Sequence, residues 1–137
     1  MTTNEQNITN YKMYIFVNSD LKMGKGKIAS QVAHAIKNIT KNIFINYYER
    51  KLDPKNIEFY ANNFNNYVNW ENSGEAIIVL KATTKELVNI ITKYNKEVIY
   101  TCDAGKTQVE TGSLTTVCFI PMPEHMIKYN VKNHKLL

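Results

Sequence analysis

Val98-Ile99-Tyr100-Thr101-Cys102 and Thr115-Thr116-Val117-Cys118-Phe119-Ile120 both read as strands, and only Asp103 to Leu114 separates them. That link is about a dozen residues long, contains glycine and has no helical periodicity. It is too short for the crossover helix that a parallel pair requires. The later strand therefore runs antiparallel, its first residues beside the carboxyl end of the earlier one.

Upstream, Ala76 to Lys81 is a continuous apolar run, and Thr83 with Glu86 three residues on forms a capping box for a helix carrying Leu87, Val88, Ile90, Ile91 and Tyr94. Residues 76–102 are expected to form one βαβ unit with parallel strands. Met13 to Val17 is a further strand buried on both faces. Ile28, Val32, Ala35, Ile36 and Ile39 then predict a helix from near Lys27 to about Thr40. More helix is expected over 42–52, broken at Asp53-Pro54. Asp53 as N-cap and Pro54 in the first turn start another segment, marked by Ile57, Tyr60, Phe64 and Tyr67 and ended by Gly74. Pro121 and Pro123 stop the last strand, and a short helix or turn follows over 124–129. The fold class is single-domain α/β, a four-stranded mixed sheet with its last strand antiparallel and helices on both faces.

The chain has 137 residues, 44% of them hydrophobic, enough for one core, and a net charge of +5. The charge suits a polyanion such as nucleic acid, or simply solubility. Cys102 and Cys118 lack zinc or CxxC spacing, so two buried thiols in a reducing compartment are expected. His34, His125 and His134 are scattered, so no metal site and no cofactor is expected. No apolar run spans a bilayer and residues 1–10 are polar, which points to the cytoplasm and no membrane partner.

In open α/β sheets ligands bind beyond the carboxyl ends of parallel strands. Three polar segments meet there: Asp20 to Lys27 (DLKMGKGK), Asp103 to Gln108 (DAGKTQ), and Thr111 to Thr115. Gly24 and Gly26 allow backbone N–H groups to approach an anion at a helix start. This is not a Walker A loop, because Leu21 stands where the first glycine belongs and Ile28 follows Gly26-Lys27. Lys27, Gln31 and His34 form one stripe of the helix, either facing the cleft or simply solvated. Asp103 is a candidate base or water orienter, or an ordinary turn aspartate. Thr107 and Thr115 are candidate donors, or strand threonines kept for packing.

Four blocks in order, D-L-K-M-G-K-G-K-I-A-x-Q-x-x-H-A, W-E-x-S-G at Trp70 to Gly74, D-A-G-[RK]-T-Q at Asp103 to Gln108 and H-K-L-L at His134 to Leu137, resemble the type 2 peptidyl-tRNA hydrolases from about Lys12 to the end. The resemblance implies hydrolysis of the ester between peptide and tRNA, releasing both. It places the family's essential lysine on Lys27, its acid on Asp103 and its threonines on Thr107 and Thr115, with Gln31 and His34 in the same motif. Lys22, Gly24, Lys25, Lys106 and Gln108 are assigned with them to substrate binding, the lysines to phosphates.

Two departures stand out. Lys106 replaces the commoner arginine, which loses a bidentate phosphate contact. The segment between His34 and Trp70 is longer than usual by roughly four turns of helix. The domain is expected over 12–137, with an extended helical segment around 41–69 and a flexible segment over 1–11. Peptidyl-tRNA is the expected partner, and a second copy of the chain is a candidate one. The alternatives are a non-catalytic tRNA- or partner-binding module on the same fold, and a phosphate-metabolite domain. Salt separates these two, since only a tRNA binder weakens steeply as salt rises.

Overall fold

Strand β1 (Tyr11–Asn18) is buried from Met13 to Asn18, because both faces of the sheet are covered over it. The computed structural model describes residues 10–104 and 112–137. On one face Met13 and Ile15 pack with Ala35, Ile39, Ile43, Tyr67 and Trp70. On the other, Tyr14 and Phe16 pack with Leu80, Leu87, Ile90, Val117 and Phe119. The continuous apolar run of β1 thus comes from burial on two sides.

Helix α1 (Lys25–Tyr48) is continuous for 24 residues. The break expected near Thr40 does not occur. Nothing between Thr40 and Asn42 removes a backbone donor, and Ile39 and Ile43, four apart, are buried on the same core face. After two 3-10 turns, Arg50–Leu52 and Pro54–Asn56, helix α2 (Ile57–Asn72) packs back on α1. Asp53 does not cap a backbone N–H there. Its Oδ2 instead accepts from Asn56 Nδ2 at 2.9 Å and from the Tyr60 hydroxyl at 2.8 Å. Trp70 Nε1 donates to the Ala76 carbonyl at 2.8 Å, which ties the end of α2 to the start of β2, and Gly74 makes the turn between them at φ +108°.

Strand β2 (Ala76–Ala82) lies parallel to β1. Helix α3 (Thr84–Lys93) opens with the predicted capping box on Thr83 and Glu86. Strands β3 (Val98–Cys102) and β4 (Leu114–Phe119) are antiparallel, as the short link requires. The order is β2-β1-β4-β3. β2 and β3 point the same way but are not neighbours, because β1 and β4 fill the space between them. The sheet also exceeds the expected four strands by β5 (Met122–Pro123), which pairs with Tyr11 and Lys12 beyond Pro121. Cys118 is buried, but Cys102, on edge strand β3, is exposed, against the expectation of two buried thiols.

The tail closes the other edge. Lys81 N–H donates to the Lys135 carbonyl at 2.8 Å and Leu137 N–H to the Val79 carbonyl at 3.0 Å, so β2 does not present a bare edge. His134 clasps this tail. Its Nδ1–H donates to the Lys81 carbonyl at 2.8 Å, which leaves Nε2 to accept from the Tyr129 hydroxyl. The H-K-L-L block is in this fold a structural fastening.

Candidate active site

The turn from β1 into α1 is held by a side chain the sequence did not flag. Asn18, 2% exposed, donates through Nδ2 to Thr84 Oγ1 and to the Leu114 carbonyl, each at 2.8 Å. Asp20 Oδ2 accepts from the Thr84 N–H at 2.9 Å. The loop therefore hangs from the β2–α3 turn and from β4, and this aims the first turn of α1. The signal for Asn18 was its place as the polar end of a two-sided buried strand.

Gly24 is the N-cap of α1 and has no side chain to cap with, and the first turn holds lysines and no carboxylate. Cations there oppose the helix dipole unless an anion neutralises them. Asp103 does so for one: Lys27 Nζ donates to Asp103 Oδ1 in an ion pair whose side chains are 9% and 1% exposed. Asp103 is fixed by its own backbone, its N–H donating to the Ser113 carbonyl at 2.8 Å and its carbonyl accepting from Gly112 N–H at 2.9 Å. Both charges are out of water, so each depends on the other.

Beside this pair lies a β-bulge. Thr101 faces Thr116 and Cys102 faces Leu114, so Thr115 is the extra residue on β4. Strict alternation would send Thr115 to the face of Val117 and Phe119, away from α1. The bulge turns it under α1, where its hydroxyl lies 2.6 Å from Gln31 Oε1 and 3.1 Å from the Thr101 carbonyl. Gln31 and Thr115 are both buried. One hydroxyl proton serves one acceptor at a time, so the Thr115 O–H is engaged inside the protein. Thr101 Oγ1 and Thr116 Oγ1 are buried close by with no hydrogen-bond partner among the described residues.

Lys27, Asp103, Gln31 and Thr115 thus come together from α1, the end of β3 and the bulge of β4. Lys22, at φ +49°, and Lys25 are exposed on the approach, and Gly24 is half-buried. His34 is exposed one turn beyond Gln31. Lys106, Thr107 and Gln108 lie outside the described residues. Among the described residues no three His, Cys, Asp or Glu side chains converge as metal ligands, and no helix is long and apolar enough to cross a membrane. Burial pushes the Cys118 thiol well above its ordinary pKa, which leaves it a packing residue rather than a nucleophile. A fixed carboxylate next to a desolvated ammonium can order a water and present positive charge to a developing oxyanion.

The profile of the family described as peptidyl-tRNA hydrolase PTH2 matches residues 11–137. The chain is 37% identical over 131 residues to a protein named peptidyl-tRNA hydrolase from Methanococcus vannielii, covering 93% of this chain and 99% of the relative. It is 37% identical over 132 residues to one of the same name from Sulfolobus acidocaldarius, covering 92% and 99%. A protein of that name from Saccharolobus islandicus is 34% identical over 131 residues, covering 92% and 98%.

Proposed function

The chain belongs to the peptidyl-tRNA hydrolase PTH2 family, and from that premise we propose how its cleft works. It is a hydrolase acting on peptidyl-tRNA, splitting the ester between the peptide and the terminal ribose. The observation that carries the assignment of the chemistry to this cleft is the desolvated Lys27–Asp103 pair at the carboxyl end of β3.

Asp103 orients a water through its carboxylate and draws off a proton as the oxygen attacks the ester carbonyl carbon. Charge gathers on the carbonyl oxygen, where Lys27 and the Thr107 hydroxyl stabilise it. The tetrahedral intermediate collapses by breaking the bond to the ribose oxygen, which takes a proton and leaves as the tRNA hydroxyl. The peptide leaves with a free carboxylate. Thr115 completes the set through its grip on Gln31, and Gln31, His34 and Gln108 seat the acceptor end. Gly24, Lys22, Lys25 and Lys106 receive phosphates, which supplies affinity without base specificity.

Residues 12–137 form the hydrolase domain in this reading, with 41–69 as its extension and 1–11 as a preceding segment. The enzyme works in the cytoplasm, where translation leaves its substrate. A second copy of the chain is the other partner. Tyr48 at the end of α1 and Leu52 in the 3-10 turn after it, 71% and 83% exposed, are the apolar surface it would cover. Sedimentation at micromolar protein would show a dimer mass, and a monomer mass would remove that partner.

The activity test is release of N-acetylaminoacyl groups from tRNA. Lys27→Ala is expected to lower kcat about 10²- to 10³-fold, and Asp103→Asn about 10²- to 10⁴-fold. Breaking a buried pair also costs about 3–5 kcal/mol of stability, so both variants are assayed below their melting temperature. Turnover by either folded variant near the parent rate would overturn the roles of Lys27 and Asp103. Binding of tRNA by the parent without release would leave a binding module instead.

A further inference from the structure

Helix α1 carries lysines at 25, 27, 37 and 41 and no carboxylate along its 24 residues. Lys27, Gln31, His34, Asn38 and Asn42 follow one another at i, i+4, i+7, i+11 and i+15, within one quarter of the helix circumference. That flank runs from the Lys27–Asp103 pair along the side of edge strand β3. It ends about 22 Å away, by the rise of the helix, in a cleft of about 210 Å³ between α1, α2 and the turn into β3. Amides line this cleft, Asn42, Asn56, Asn63 and Asn95 among them, together with Tyr60 and Lys96. A second hollow, of about 330 Å³, holds Asn38, Lys41 and Asn42 and joins it to the ridge. Two carboxylates follow the far end, Glu49 as the C-cap residue of α1 and Asp53 beyond it, which accepts from Asn56 Nδ2 and the Tyr60 hydroxyl.

We propose that this flank of α1 and its amide cleft form a second contact for the substrate, gripping the sugar-phosphate backbone of the base-paired acceptor stem while the 3′ end lies at Lys27. The proposal rests on the hydrolase reading and extends it to the segment around 41–69. An A-form stem exposes 2′-hydroxyls and phosphates along a wide, shallow minor groove. A carboxamide both donates and accepts, as a 2′-hydroxyl does, and Lys41 and Lys96 supply the charge for phosphates. A helix without a single carboxylate offers a polyanion no repulsion over its length. Continuity with the reactive end sets the direction in which the stem leaves it.

The test compares two substrates, a full-length N-acetylaminoacyl-tRNA and an N-acetylaminoacyl-CCA trinucleotide that has no stem. The variants are Lys41→Ala/Lys96→Ala at exposed positions and Asn42→Asp at a half-buried one in the cleft lining, with melting curves as the folding control. On the full-length substrate KM is expected to rise about five- to tenfold with kcat unchanged, and the trinucleotide is expected to respond like the parent. The slope of log KM against log salt should fall by about 1.4–1.8 in the double lysine variant, which leaves two phosphates without a cation. Equal effects on both substrates, or none on the full-length one, would overturn the stem contact while leaving the hydrolase intact. No turnover of either substrate by the parent would overturn both readings.

Discussion

At the residue scale, Thr115 shows how one backbone irregularity changes a side chain's work. The bulge opposite Thr101 and Cys102 carries its hydroxyl from the α3 side of the sheet to Gln31. Thr115→Val keeps the shape and removes the hydroxyl. It leaves whichever acceptor the hydroxyl proton serves, Gln31 Oε1 or the Thr101 carbonyl, without that donor, at a cost of about 1–3 kcal/mol. Thr115→Ser keeps the hydroxyl and loses only a methyl. We expect kcat to fall in the valine variant and to be largely restored in the serine one, read by N-acetylaminoacyl-tRNA release. Equal activity in both would show that the hydroxyl has no part in the reaction. Lys27 and Asp103 were legible as candidates from their motifs, but neither motif revealed that the two charges are paired out of water.

At the element scale, α2 and the turns before it hold the least expected chemistry. The Asp53 carboxyl lies below its ordinary pKa because Asn56 Nδ2 donates to it first and Tyr60 O–H next, and the same bond raises the tyrosine's pKa. A carboxyl lowered on folding contributes stability above its unfolded value near 3.8 and loses it as pH falls through the lower folded value. Hydrogen-exchange protection factors over 53–60 should therefore fall below pH ~4 while those of the buried β1 amides hold. In Asp53→Asn that acid step should be absent. An unchanged step in the variant would assign it to another carboxyl. The periodicity of 42–52 and 57–68 disclosed the helical content here. It did not disclose that the first stretch continues α1, since continuity depends on Ile39 and Ile43 sharing one buried face.

At the scale of the whole molecule, the net charge of +5 includes lysines at both ends of α1. Lys22 and Lys25 flank the entrance to the cleft, and Lys41 and Lys96 stand at the far end of α1. If these four and Lys106 all meet phosphates, log KM for peptidyl-tRNA should rise against log salt with a slope of about 3.5–4.5 between 50 and 200 mM. A slope near zero would point to a small-anion site. Composition alone fitted either a polyanion or plain solubility. Where the charge sits relative to the reactive pair became visible only with α1 laid along β3. Local chemistry by itself determined strands β1 to β4, the capping box on Thr83, the antiparallel sense of β4 and the blocks that mark the family, because turns, periodicity and link length act over short stretches of chain. Tertiary structure alone decided that β3 lies beyond β4, that a bulge turns Thr115 inward, that Asn18 anchors the loop and that the tail seals β2. Each of these joins residues far apart in the chain, and which pairs form is settled by competition for buried surface and hydrogen bonds across the whole sheet.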